Sequence, residues 1–433
     1  MSKELPRVAE LSRAVGLIDL TMLGASAAIG ASIFSVLAPA VKIGGSGILL
    51  TTLLAAVPMA IFALVYGFMG SVLPKSGASY EWPREFIHPF VGFLVAWVNI
   101  LASVGALIVL ALVAVQYLSN FIALPQRIAM LAFLVVIFTL NVRGIRIAAR
   151  AQTYAMLLLL ASFSAYVVLG LPHVSLKLIG NPAAVGALPI LRATPILITL
   201  FLGIEACTEV GEEVTDAKRT IPKALALAVA LTVTVYMSIE FVTLGLLGPA
   251  RLSASSAPIL QGAELGMGPW AAPIILVTAI LALFKSLNAL FIVFSRYLYA
   301  MARAGALPVA MAKIHPRWGT PYVAAAVAFA CTAAGLALPM NMVFLFIAMS
   351  IPMVLKYMTT CLSALRLIRT RPQLAAGSGF PIDRRAVRRF AWAGVLAAAV
   401  ILSMGLNTDW RPYALTGGWA MLGILYWLVT QPA

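Results

Sequence analysis

Apolar residues in this chain come in long unbroken runs of about 20, separated by short polar connectors. A helix rising 1.5 Å per residue crosses a hydrocarbon layer roughly 30 Å thick in about that length. Lipid leaves only helices or closed barrels as spanning forms, and continuous apolarity excludes the alternating pattern of a barrel. The pattern predicts twelve spans, near 17–42, 46–73, 89–118, 125–141, 150–171, 191–210, 223–247, 269–302, 321–338, 341–366, 391–406 and 412–430. The first and eighth are long enough to tilt. The expected fold class is an all-α polytopic membrane protein with about twelve transmembrane helices. The longest polar stretch, 369–388, reads as a connector without a function of its own.

Composition agrees. Hydrophobic residues make up 62% of the 433 and charged ones 10%, against about 45–50% and 25% in soluble domains. Lipid therefore surrounds most of the chain, not a single anchor. A net charge of +16 would suit nucleic acid if it were gathered in a basic domain. It is confined to connectors instead, so no nucleic-acid partner is expected. One alternate set of connectors carries Lys3, Arg7, Arg13, Lys75, Arg84, Arg143, Arg146, Arg150, Lys218, Arg219, Lys223, Arg303, Lys313, Arg317 and the run from Arg366 to Arg389. The other set has only Lys42, Arg127, Lys177, Arg192, Arg251 and Arg411. Lys and Arg mark cytoplasmic loops, which predicts an inner (plasma) membrane protein with both termini cytoplasmic. Cys207, Cys331 and Cys361 fall in apolar segments, so no disulfide framework is suggested. The N-terminal MSKELPRVAELSR has no apolar stretch with a cleavage site, and no removable signal peptide is expected.

Two spans carry interruptions at comparable positions. Residues 24–34 read GASAAIGASIF and residues 201–213 read FLGIEACTEVGEE. Gly30 and Gly203 lie five spans apart, which puts their segments in opposite membrane orientation, the mark of an inverted repeat with discontinuous helices. Unwinding frees N–H groups at one half-helix end and C=O groups at the other. The first favours a carboxylate and the second an ammonium, so one such site suits an α-amino acid. Small residues also serve as packing faces between membrane helices. Two such spans in corresponding halves, one with carboxylates, shift the balance toward a site.

The segments SAAIGASIF (26–34), LPKSGASYEW (73–82), FLGIEACTEVGEEVTDAKRTIPKA (201–224), SRYLYAMARAGALP (295–308) and HPRWGTP (315–321) resemble, in order, the motifs of the amino acid–polyamine–organocation superfamily of amino acid permeases. Ser32 stands where that family usually has Gly, and Phe68 where it often has Glu. The resemblance implies a leucine-transporter type fold: N-terminus 1–16, inverted halves 17–171 and 191–366, a cytoplasmic loop 367–390, and two appended helices in 391–433. It also implies a secondary transporter moving amino acids by alternating access, with no cofactor and no enzymatic activity. It places the substrate carboxylate at Gly30, Ala31, Ser32 and Ile33, and the ammonium on carbonyls near Ala28, Thr199 and Leu202. Gly203 and Glu205 sit in the second break. Selectivity falls to Phe201, Cys207 and facing residues of the third, eighth and tenth spans. Cys207 also has an ordinary reading as a packing residue. Thr199 replaces an aromatic gate of some antiporters, which speaks against an arginine or agmatine exchanger.

Charges at membrane depth are costly and either pair, line water or act. Glu205, Glu209, Glu240, Lys285 and Lys356 are such groups. Glu205 either supports the break or exchanges a proton during transport. Glu209, one turn on, either lines a path or is solvated, while Glu212 and Glu213 read as interfacial anchors with Lys218 and Arg219. By resemblance, Lys285 falls where sodium-coupled relatives place a small residue of a sodium site. Some proton-coupled relatives put a lysine there from the fifth span, but residues 151–171 hold no Lys or Arg. Lys285 is therefore expected to stand in for sodium, as a fixed or a protonatable cation; a pairing with Glu205 or backbone that merely holds the bundle is the alternative. Glu240 and Lys356 receive no role, and Asn99 and Gln116 either line the cavity or bond between helices. His88, His173 and His315 lie in loops, and neither a metal-ligand cluster nor a phosphate loop is visible.

Two rival functions stay open: a polyamine or organic-cation carrier, which Glu205 and Glu209 would suit, and an amino acid sensor derived from a transporter. The expected partners are a small amino acid or amine, protons and the lipid bilayer. The substrate, symport or exchange, the coupling ion and the oligomeric state are not readable.

Overall fold

The computed structural model describes residues 13–30, 32–119, 125–255, 257–337, 342–406 and 410–430. These form helices α1 (Leu17–Ala28), α2 (Ser32–Gly44), α3 (Ile48–Val72), α4 (Ala78–Phe86), α5 (Pro89–Ser119), α6 (Gln126–Val142) and α7 (Ile145–Gly170). After a short α8 (Leu176–Ile179) come α9 (Ala187–Ile198), α10 (Ala206–Glu209), α11 (Ala217–Ala254), α12 (Pro258–Met267) and α13 (Ala271–Arg303). The remainder is α14 (Tyr322–Gly335), α15 (Met342–Thr370), a short α16 (Pro372–Ala376), α17 (Arg384–Leu406) and α18 (Arg411–Thr430). Among the described residues there is no strand, only two isolated bridges.

Nine of the described helices are long and apolar enough to cross a bilayer, and the pair Ala187–Thr194 and Ile196–Glu209, bent by 42°, makes a tenth. Two shorter apolar helices, Gln126–Val142 and Tyr322–Gly335, occupy the places of the fourth and ninth expected spans. The protein is an all-α, multi-pass integral membrane protein. Helix α17 begins at Arg384, ahead of the expected 391, because its first turns carry exposed basic residues that extend the helix beyond its apolar run. The connector 369–388 holds α16, and the connector after α11 holds α12, neither marked by an apolar run.

The first and sixth spans are broken, as the glycine pattern predicts. The first interrupts between α1 and α2, where Ile29 leaves helical geometry at ψ 83°. The sixth unwinds at Leu202, which is extended (ψ 134°), and at Gly203, whose φ is +106°. At the opposite edge of the bundle, α18 is clasped to α5 by a reciprocal pair. The Trp97 indole N–H donates to the Trp419 carbonyl at 2.9 Å, the Trp419 indole donates to the Trp97 carbonyl at 2.8 Å, and the rings stack at 5.0 Å.

The Lys- and Arg-rich side is closed. Ala14 and Val15 donate backbone N–H bonds to the Glu213 carbonyl, and Thr215 donates to Val15, each at 3.0 Å. The anchors expected between Glu212, Glu213 and Lys218 or Arg219 are replaced by other partners. Glu213 takes a bidentate bond from buried Arg296 (2.9 and 3.1 Å), and Glu212 takes one from Arg303 (2.7 and 3.0 Å) with Lys75 at 3.3 Å. The turn at 210–214 points the two carboxylates toward the end of α13 and away from the start of α11.

Candidate functional site

Each break leaves peptide groups without helical partners, and buried groups of this kind must be satisfied. At the end of α1 the satisfaction is cationic. The fully buried Lys285 ammonium, from the middle of α13, donates to the carbonyls of Ile29 and of Ser26, the latter at 2.9 Å. The Ser286 hydroxyl donates to the same Ser26 carbonyl at 2.9 Å, and the Tyr236 hydroxyl of α11 donates to the Ala28 carbonyl at 2.7 Å. A positive charge at a helix C-terminus complements its dipole. The pairing of Lys285 with Glu205 is thereby overturned: Lys285 binds backbone, and Glu205 has another cation.

That cation is Lys356 of α15. Its ammonium lies 2.5 Å from Glu205 Oε1, while Glu205 Oε2 accepts from the Tyr357 hydroxyl (2.5 Å) and from the Gly203 N–H (3.0 Å). The carboxylate thus holds the second break open by taking its freed donor. Glu209 is shielded from solvent while the basic side is closed. It is fully buried, and its carboxylate caps the start of α4, accepting from the Ser79 hydroxyl and from the Ser79 N–H at 3.3 Å. Glu240 is also fully buried, with Thr52 donating to one oxygen at 2.7 Å and, among the described residues, no partner on the other.

Between the breaks lies a cavity of about 80 Å³, several times the roughly 10–15 Å³ that admits one water. Of the residues expected at the site, Gly30, Ser32, Thr199, Leu202, Gly203 and Glu205 line it. Ala28, Ile33, Phe201 and Cys207 are buried but do not line it, and Ala31 lies outside the described residues. The reasons are geometric. The Ala28 carbonyl is taken by Tyr236, and Phe201 packs edge-on against the same ring at 5.9 Å. Cys207 turns toward α1, where its thiol meets the Leu20 carbonyl at 3.3 Å. Asn99 lines the cavity and also bonds the Pro352 carbonyl at 3.2 Å, so both readings of it hold.

Lys356, Ser286, Tyr297 and Met353, none singled out for the site from the sequence, also line the cavity. Lys356 alone had a signal, as a lysine in an apolar run.

The glycines at the breaks are there for space and for φ. A Cβ on Gly30 would sit 2.6 Å from the Ser286 hydroxyl oxygen. One on Gly203 would sit 2.9 Å from the Ala27 Cβ, at a φ that side chains rarely adopt. Gly203→Ala is expected to cost about 1–3 kcal/mol in backbone strain, read as a lower thermal midpoint in detergent together with weaker ligand binding. An unchanged midpoint would mean that the break tolerates a side chain.

The sequence pattern described as "Amino acid permease" matches residues 15–422. The chain is 32% identical to an uncharacterized transporter of Mycobacterium tuberculosis over 329 residues, covering 75% of this chain and 74% of the relative. It is 24% identical to a methylthioribose transporter and 23% identical to a branched-chain amino acid permease, both of Bacillus subtilis, each with 72% of both chains covered.

Proposed function

The chain belongs to the amino acid permease family, and on that premise we propose that it is a secondary transporter carrying amino acids by alternating access, independent of sodium, with Lys285 in the place of a coupling cation. The observation that carries this reading is the contact of the Lys285 ammonium with the Ser26 and Ile29 carbonyls at the end of α1, beside a cavity that both breaks line. Carbonyls converging on one point are what a bound cation requires, and the ammonium supplies that charge permanently or by taking a proton. The substrate carboxylate faces the start of α2 at Gly30 and Ser32, where helix N–H groups favour an anion. Its ammonium faces the Thr199–Leu202 turn. Helices α1–α7 and α9–α15 act as inverted halves, and the closed basic side faces the cytoplasm with both termini. That side, sealed by Arg296 and Arg303 on Glu213 and Glu212, has to open for release.

Flux into proteoliposomes tests the reading. Labelled neutral amino acids should enter equally in sodium and in potassium media, and putrescine should not compete. Sodium-dependent uptake would remove Lys285 from its role. Faster entry of putrescine than of any amino acid would make the protein a polyamine carrier, and binding without flux would make it a sensor.

A further inference from the structure

We infer that Lys356 sets the charge class of the substrate: by neutralising Glu205 on the cavity wall, it admits amino acids with uncharged side chains and turns away cationic ones. This rests on the amino acid transport reading above and deepens it.

Two charged residues line the cavity, Glu205 and Lys356, and they are in contact at 2.5 Å with side chains only 5% and 3% exposed. Their charges cancel where the substrate sits. Glu205 offers a guest cation no unmatched charge, because Lys356 neutralises it, and its oxygens also accept from the Tyr357 hydroxyl and the Gly203 N–H. Lys356 is held as firmly, lying over the faces of Tyr357 and Tyr297 at 5.6 and 6.0 Å. The other ionisable groups nearby are committed as well: Lys285 to the α1 carbonyls and Glu209 to Ser79. A cationic side chain entering the cavity therefore meets no free carboxylate and has to shed water against Leu110, Val293 and Met353. Against so apolar a wall an uncompensated charge is costly. An aliphatic side chain meets the same wall at no such cost.

The pair is also a point at which specificity can be switched. Without the ammonium, Glu205 is a lone buried carboxylate facing the cavity, and a guest cation becomes its counter-ion. Without the carboxylate, Lys356 is a lone ammonium, and a guest anion fills that role.

The experiment is equilibrium binding of labelled leucine to the purified full-length protein in nanodiscs, competed by unlabelled lysine and by glutamate. Wild-type protein should bind leucine at least 50-fold more tightly than lysine. In Lys356→Met the lysine-to-leucine ratio should rise at least 10-fold, and in Glu205→Gln the glutamate-to-leucine ratio should rise at least 10-fold. The neutral double variant Glu205→Gln/Lys356→Met should return to the wild-type ranking. A folded Lys356→Met protein with an unchanged ratio overturns the inference. If that variant does not fold, an unchanged ranking in Glu205→Gln overturns it. Wild-type protein that binds lysine as tightly as leucine overturns it without any variant, and leaves amino acid transport standing. Binding of no amino acid at all fails the transport reading itself, and this inference with it.

Discussion

Lys285→Gln should lower amino acid uptake at least about 100-fold, because two buried carbonyls lose charge-assisted bonds worth roughly 1.5–3 kcal/mol each. The Ser26 carbonyl keeps the Ser286 hydroxyl, whereas the Ile29 carbonyl loses the ammonium that donates to it. The glutamine amide is shorter and uncharged, so it does not restore a cation at the end of α1. Lys285→Ala should lose uptake to the same degree and leave space behind. The two functions open to this lysine separate cleanly. Monodisperse variants that bind substrate but do not transport it support a role in coupling. Variants that no longer fold assign the lysine to holding the bundle together, and full uptake by the glutamine variant removes it from the mechanism.

The second large effect lies at the basic side. Arg296 and Glu213 are 1% and 0% exposed and joined by two bonds. Arg296→Met leaves a buried carboxylate with no counter-ion, a change that costs about 3–5 kcal/mol in comparable pairs. The thermal midpoint should fall sharply. Glu213→Leu/Arg296→Met removes both charges and should recover most of the loss, since buried pairs add little beyond a well-packed apolar contact. A single variant as stable as the wild type would mean that water reaches Glu213. The double variant also reports on transport. If the pair holds the basic side closed between cycles, folded double-variant protein should leak substrate that the wild type retains.

Much of this was legible from local pattern. The spans followed from runs of apolar residues, and the two breaks followed from Gly30 and Gly203, which allow unwinding and close approach. Lys285 was conspicuous because it falls near the midpoint of its span. Arg296 was not, although it is as deeply buried. It sits two turns from the end of α13, where a basic residue ordinarily reaches water, and its burial depends on the 210–214 turn folding over it. The partners of Glu205 and Glu209 were missed for a related reason. Lys356 lies 151 positions from Glu205 and Ser79 lies 130 from Glu209, and no spacing rule connects such distances.

The chain alone determined that it spans a bilayer, roughly where it crosses, and where two crossings fail to stay helical. Those are properties of each segment against lipid, which demands apolar side chains and internally satisfied backbone wherever the chain lies. Which charges meet was decided only by the tertiary structure. Successive residues of a helix point about 100° apart, so a small uncertainty in rotation or depth sends a side chain to another neighbour. Lys285 reached the backbone of α1 and Lys356 reached Glu205 because of how α13 and α15 are turned within the bundle. That choice belongs to the packing of all the helices at once.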